Sequence, residues 1–172
     1  MMKFELGPRR VFAAFTLLPL ALLAEALILQ HLKGQAPCPL CVLQREAFFL
    51  VALLAFIAAV HNPGRRAAAA YAAGVALAAA SGLGVALWHV WSFYHPKFGC
   101  GIDVMEKIVN DLPTAKLLPF IFYASGDCSA KHEPIFGLQV PEWSLVWFSL
   151  FFLAAIFLLV RWLRAAPART AG

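Results

Sequence analysis

The sequence predicts an all-α membrane protein: a four-helix transmembrane bundle with two extracytoplasmic loops, the second carrying a short amphipathic helix. Three observations carry that prediction. Of 172 residues, 62% are hydrophobic and only 13% charged, against roughly 45–50% and 25% in soluble proteins. Four apolar stretches are each long enough to cross a hydrocarbon core of about 30 Å, which takes roughly 20 helical residues. Basic residues gather in alternate connections. The whole chain, 1–172, is expected to form one integral membrane domain.

The first span, 11–31, is interrupted only by Pro19 and Glu25. A basic start, an apolar run and "AEA" at 24–26 have the outline of a signal peptide. The run continues through "LIL", however, and is long enough to span, so an uncleaved helix is expected. The second span, 42–60, carries Arg45 and Glu46 in its first turns. The third, 67–88, is alanine-rich, and Gly74, Ser81, Gly82 and Gly84 are small residues that let helices approach closely. The fourth, 143–163, is aromatic at its start and carries Arg161 and Trp162 at its end.

Two outer loops follow, 32–41 and 94–142. In the second, Ile102, Met105, Ile108, Val109 and Leu112 recur at helical spacing, with Asp103, Glu106 and Lys107 between them. That pattern suits a helix lying on the bilayer surface, or one packed on the bundle. The prolines of "LPTAKLLPF" prevent it from running on.

Lys3, Arg9, Arg10, Arg65, Arg66, Arg161, Arg164 and Arg169, eight of the fourteen basic residues, flank the spans on one side, with only Glu5 to offset them. Short-loop lysine and arginine mark the cytoplasmic face. Both termini are therefore expected in the cytoplasm and both loops outside. The net charge of +5 is explained by topology; membrane lipid is the expected surrounding, and nucleic acid is not an expected partner.

All four cysteines, Cys38, Cys41, Cys100 and Cys128, fall in the outer loops. On an oxidising face, three readings apply. As staples, Cys100 and Cys128 would close a long step, but a bond within the Cys38–Cys41 CxxC closes so short a loop that it adds little stability. As a four-cysteine zinc site, the CxxC supplies half, but zinc sites usually bring a second close pair, so no metal ligand is assigned. As a redox centre, Cys41 stands at the start of a helix, where the dipole favours a thiolate. Two dithiol pairs on one face can then pass a disulfide between them. The residues show no flavin, haem or dinucleotide motif; a lipid-soluble quinone in the bilayer is one acceptor that could take the electrons.

With "PCPLCVLQR" at 37–45, "WH" at 88–89, "LPTAKLLPFIFYASGDC" at 112–128 and "FGLQVPEW" at 136–143, the chain resembles the DsbB family over nearly its whole length. The resemblance implies a bacterial inner-membrane enzyme that reoxidises a periplasmic DsbA-like thiol oxidase and passes the electrons to ubiquinone or menaquinone. It implies that Cys100 forms a mixed disulfide with the soluble partner, releasing Cys128, which engages Cys38. Cys41 would meet the quinone ring, as would Arg45 one turn further on and His89 at the end of the third span. Gln44 stands where some members have an acidic residue.

Beside that resemblance, Arg45 has a plain explanation, snorkelling or pairing with Glu46, and a chemical one, stabilising charge on a quinone oxygen. His89 is either a satisfied interfacial histidine anchored by Trp88 and Trp91 or a donor to the quinone. Glu25 is an ionisable group within a span, a functional candidate by its position. His31, His61, His95 and His132 show no ligand spacing. A non-enzymatic membrane protein with two stapled, partner-binding loops is the alternative from another class.

Overall fold

The computed structural model describes residues 7–95, 102–131 and 134–164. Among these the helices are α1 (Pro8–Lys33), α2 (Pro39–His61), α3 (Arg65–Tyr94), α4 (Ile102–Asn110), α5 (Pro113–Leu117), α6 (Pro119–Phe122) and α7 (Val140–Arg164). Four of them, α1, α2, α3 and α7, are long and apolar enough to cross a membrane. The four-helix membrane bundle expected from the sequence is the fold observed.

Each long helix outruns its apolar stretch because caps, not hydropathy, set helix ends. Pro8 opens α1 at a position that needs no N–H donor. Gly34 closes it in the left-handed conformation (φ 66°), returning its N–H to the Leu29 carbonyl. Asn62 ends α2 the same way (φ 47°), its N–H on the Ala58 carbonyl. At 30 residues, α3 is about 45 Å long at 1.5 Å per residue. That exceeds a hydrocarbon core of about 30 Å, so its last turns, with exposed Trp88, Trp91 and Tyr94, suit the aromatic belt of an interface.

The bundle is ordered α1–α2–α3–α7 by its packed neighbours. It closes from α7 back to α1 through aromatics: Phe15 meets Phe151 with centroids 5.8 Å apart, and Phe12 meets Trp162 at 5.4 Å. In the centre, Phe48 of α2 stacks on Phe148 of α7 at 4.0 Å. Phe148 lies against Gly82 of α3 so closely that a Cβ there would overlap the ring. Of the small residues noted in this helix, Gly82 makes the close approach; Gly74 leaves ordinary contact with Leu54, and Gly84 faces open space.

The short helices cover the end of α2 that carries the CxxC. Val109 of α4, Ala115 of α5, Phe122 of α6 and Ala124 bury themselves around Val42. The amphipathic helix α4 therefore packs on the bundle, while Val104 and Ile108 on its other side stay exposed.

Candidate functional site

Cys38 is the N-cap of α2, and its Sγ accepts the Cys41 N–H at 3.2 Å. The sulfur thus takes one of the donors that a helix start leaves without an internal partner. Pro39 at the first helical position fixes the entry. Cys38 and Cys41 are unbonded thiols with sulfurs 2.8 Å apart. Burial, and then the neighbouring Cys41, push the Cys38 thiol well above its ordinary range. Cys128 is disulfide-bonded; Cys100 lies outside the described residues.

Main-chain contacts stitch the two loops together. The N–H groups of Ser125 and Gly126 both donate to the Pro37 carbonyl, each at 3.0 Å. Gly126 is pressed so tightly onto the Ala36 carbonyl that a side chain would not fit. The Asn110 amide clamps Ala124 from both sides, accepting its N–H at 2.8 Å and donating to its carbonyl at 2.9 Å. This seam brings Cys128 to Cys38: their sulfurs and a ring nitrogen of His89 all lie within 4.8 Å of one another, and all three residues are buried.

His89 is 3% exposed, so it faces the bundle interior and not the interface beside Trp88 and Trp91. The Gln44 amide nitrogen lies 3.0 Å from its Nδ1, and its Nε2 is 3.6 Å from Cys38 Sγ. With the amide donating to Nδ1, the ring proton resides on Nε2 and points at the sulfur.

Arg45 is 6% exposed and does not snorkel. Its Nη1 donates to Gln30 Oε1 at 2.5 Å and to the Ile121 carbonyl at 2.7 Å, and Nη2 donates to the Ala26 carbonyl at 3.3 Å. No ion pair to Glu46 forms; the only salt bridge found among the described residues joins Lys116 and Asp111. Glu46 instead keeps Oε1 buried without a hydrogen-bond partner. Arg45 thus braces α1, α2 and α6 through neutral acceptors and keeps its positive charge uncompensated by a carboxylate.

A cavity of about 290 Å³ opens beside these groups. Leu22, Ala26 and Leu29 of α1, Cys41, Gln44, Arg45 and Phe48 of α2, and Ser144 and Trp147 of α7 are among its walls; Glu25, His89 and Cys128 also border it. Its mouth includes Phe136, 93% exposed at φ 49° in a turn whose Ile135 carbonyl accepts the Trp143 indole N–H at 2.8 Å. Ligand pockets for small molecules run from roughly 300 to 1,000 Å³, so this one, at the lower end of that range, has room for a ring-sized group. Its wall is largely apolar, with the Arg45 guanidinium, the Cys41 thiol, the Gln44 amide, the His89 ring and the Glu25 carboxylate among the polar groups that border it.

Of the site residues expected from the sequence, Cys38, Cys41, Cys128, Arg45 and His89 are brought together at one end of the bundle. His31, stacked on Phe120 at 3.9 Å, His95, stacked on Trp91, and His61, edge-on to Tyr71, do not join the sulfur–imidazole cluster. Gln44 was legible only as a departure from the family pattern, and Gly126 only as part of a motif. Nothing in the sequence singled out Gln30 or Asn110, because their partners are main-chain or side-chain atoms far along the chain.

Four membrane-length helices with a CxxC at one end, its Cys38 buried and met by a cysteine from a distant loop, define a multi-pass membrane protein of thiol–disulfide chemistry. The model of the family described as Disulfide bond formation protein DsbB matches residues 8–158, and the chain belongs to that family. Disulfide bond formation protein B of Herminiimonas arsenicoxydans is 47% identical over 151 residues, covering 88% of this chain and 92% of the relative. Disulfide bond formation protein B 1 of Pseudomonas putida is 45% identical over 142 residues, covering 83% and 84%. The counterpart in Pseudomonas fluorescens strain Pf0-1 is 44% identical over 142 residues, covering 83% of each. The protein is a disulfide-forming membrane oxidoreductase.

Proposed function

We propose that this protein, a single integral membrane domain of the bacterial inner membrane, takes electrons from a reduced periplasmic DsbA-like thiol oxidase and delivers them to ubiquinone or menaquinone. Both termini are cytoplasmic and the cysteine loops periplasmic, in keeping with the basic residues. The observation that carries the reading is the line of sulfurs: Cys128 beside Cys38 within 4.8 Å, Cys38 beside Cys41 at 2.8 Å, and Cys41 on the cavity wall with Arg45.

A thiolate of the partner attacks Cys100 of a Cys100–Cys128 disulfide, and Cys128 leaves as a thiolate. Cys128 then attacks Cys38 of the oxidised CxxC, and Cys41 leaves towards the cavity. Arg45, its charge unneutralised, stabilises negative charge at Cys41 and at whatever oxygen accepts the electrons. The partner's second thiol attacks its mixed disulfide and frees Cys100, and Cys100 attacks Cys128 of the Cys38–Cys128 bond and frees Cys38. Cys38 and Cys41 re-form their disulfide by giving up two electrons and two protons, which a quinone bound there would accept. The partner dithiol supplies both and ends as a disulfide, so the exchange balances. His89, with both ring nitrogens engaged, holds the Cys38 sulfur while bordering the cavity.

The test is quinone absorbance, followed with purified protein in detergent, reduced DsbA-like oxidase and soluble ubiquinone or menaquinone analogues. Catalytic loss of the quinone band, abolished by Cys41→Ser, is expected. Turnover of neither quinone by a protein whose cysteines resist dithiol exchange would return both disulfides to a stapling role.

A further inference from the structure

We propose that the reduced protein is a binding site for one thiophilic divalent cation, of the zinc class, held by Cys38 Sγ, Cys128 Sγ and His89 Nε2. The inference concerns the reduced thiols alone and does not depend on any quinone. The sequence argued against a zinc site built from four cysteines; the fold assembles a different set, two cysteines and a histidine.

One edge of the cluster already has the length that a tetrahedral ion requires. Zinc–sulfur and zinc–nitrogen bonds of about 2.3 and 2.0–2.1 Å at a tetrahedral angle put the two ligand atoms about 3.6 Å apart. Cys38 Sγ and His89 Nε2 are 3.6 Å apart. The corresponding sulfur–sulfur edge is about 3.8 Å, and Cys128 Sγ is within 4.8 Å of both partners, so it needs to move by no more than about an ångström.

Charge and hydrogen bonding agree. Two thiolates, a neutral imidazole and a divalent cation sum to zero, the state a buried, water-poor site accepts. A ligating histidine is oriented by a partner on its other nitrogen. Gln44 is already 3.0 Å from Nδ1, and rotating its amide presents an oxygen to an Nδ1–H once Nε2 binds metal. A glutamine serves both tautomers.

Loading requires Cys128 to be free. A dithiol reduces its disulfide, giving up two electrons and two protons and becoming a disulfide itself. The cation then displaces the protons of the Cys38 and Cys128 thiols. Bridging the two sulfurs between which the disulfide has to pass, it holds the enzyme reduced and stops exchange.

The full chain in detergent, reduced with a phosphine under argon and freed of excess reductant, is titrated with cadmium alone, and thiolate-to-metal absorbance is followed. Saturation at one equivalent is expected, with no signal from the oxidised protein. Cys128→Ser and His89→Ala should each weaken binding by at least about tenfold. Zinc X-ray absorption should show sulfur with imidazole nitrogen. His89 is buried, so its variant is judged only if helix content and elution match wild type; Cys128→Ser, on the loop, is the second reading of the same site. No saturable binding overturns the proposal, and so does binding unchanged in both variants, which would assign the metal to the CxxC alone. Quinone turnover is measured separately in chelator, so neither result decides the other.

Discussion

Replacing Arg45 with methionine separates its two jobs. On the structural side, it removes charged hydrogen bonds to Gln30 and to the Ile121 carbonyl, at 2.5 and 2.7 Å, each worth about 1.5–3 kcal/mol. Against this, the wild-type guanidinium is 6% exposed and has no carboxylate partner among the described residues; removing it relieves a desolvation penalty of several kcal/mol. The two terms oppose each other and are of similar size, so the net change in stability should stay within about 2 kcal/mol. On the chemical side nothing offsets the loss. A preorganised donor facing developing negative charge contributes about 10²–10³ in rate, and that is the expected fall in quinone reduction. Thermal unfolding in detergent and quinone absorbance, read on the same preparation, check both numbers. Dithiol exchange at Cys128, which precedes the step that puts charge on Cys41, should remain within about threefold of wild type, under 1 kcal/mol. A variant that keeps near wild-type turnover, or one that unfolds while losing activity, refutes the division and leaves Arg45 as a brace.

Three further outcomes are expected. Gly82→Ala drives a Cβ into the Phe148 ring and should destabilise the bundle by about 1–3 kcal/mol. Gly84→Ala, facing open space, should be neutral or gain up to about 1 kcal/mol; unfolding midpoints in mixed micelles tell them apart. Gly126→Ala meets the Ala36 carbonyl, a main-chain atom that cannot turn aside, and should push Cys128 from Cys38. Trapping of a Cys38–Cys128 disulfide, scored by mass spectrometry, should then fall about tenfold or more for a loss of 1.4 kcal/mol or above. The Cys38 thiol, raised by burial, stays protonated at neutral pH. In Cys41→Ala, where the adjacent sulfur is gone and burial remains, alkylation of Cys38 should still be slow at pH 7. It should keep climbing with pH beyond the ordinary thiol range of about 8.5; a plateau below that value contradicts the burial.

Composition and hydropathy were sufficient for the four membrane helices, because crossing lipid imposes a length and an apolarity that no tertiary contact can replace. The motifs likewise marked Cys38, Cys41 and Arg45, since a CxxC capping a helix and an arginine one turn on are local in the chain, whereas Cys128 was marked by its outer loop and by the resemblance at 112–128. The sequence also showed α4 as amphipathic, yet could not say which surface it met. Burial of Val109 around Val42 depends on where α2 passes.

What only the tertiary structure decided is who faces whom. Two readings of Arg45, snorkelling or pairing with Glu46, fell to three acceptors on α1 and α6 that no spacing rule connects to it. Of the two readings of His89, the interfacial one fell: it is turned inward because it lies one residue from the exposed Trp88 on a helix whose other face packs against α2 and α7. A 3.6-residue period lets adjacent residues face lipid and core. Cys128 reaches Cys38 only because Gly126 has no side chain to hold the loops apart. The number of membrane-length helices is a property of the chain read alone; the cluster of sulfur, imidazole and guanidinium is a property of packing, where close approach selects partners that sequence separation conceals.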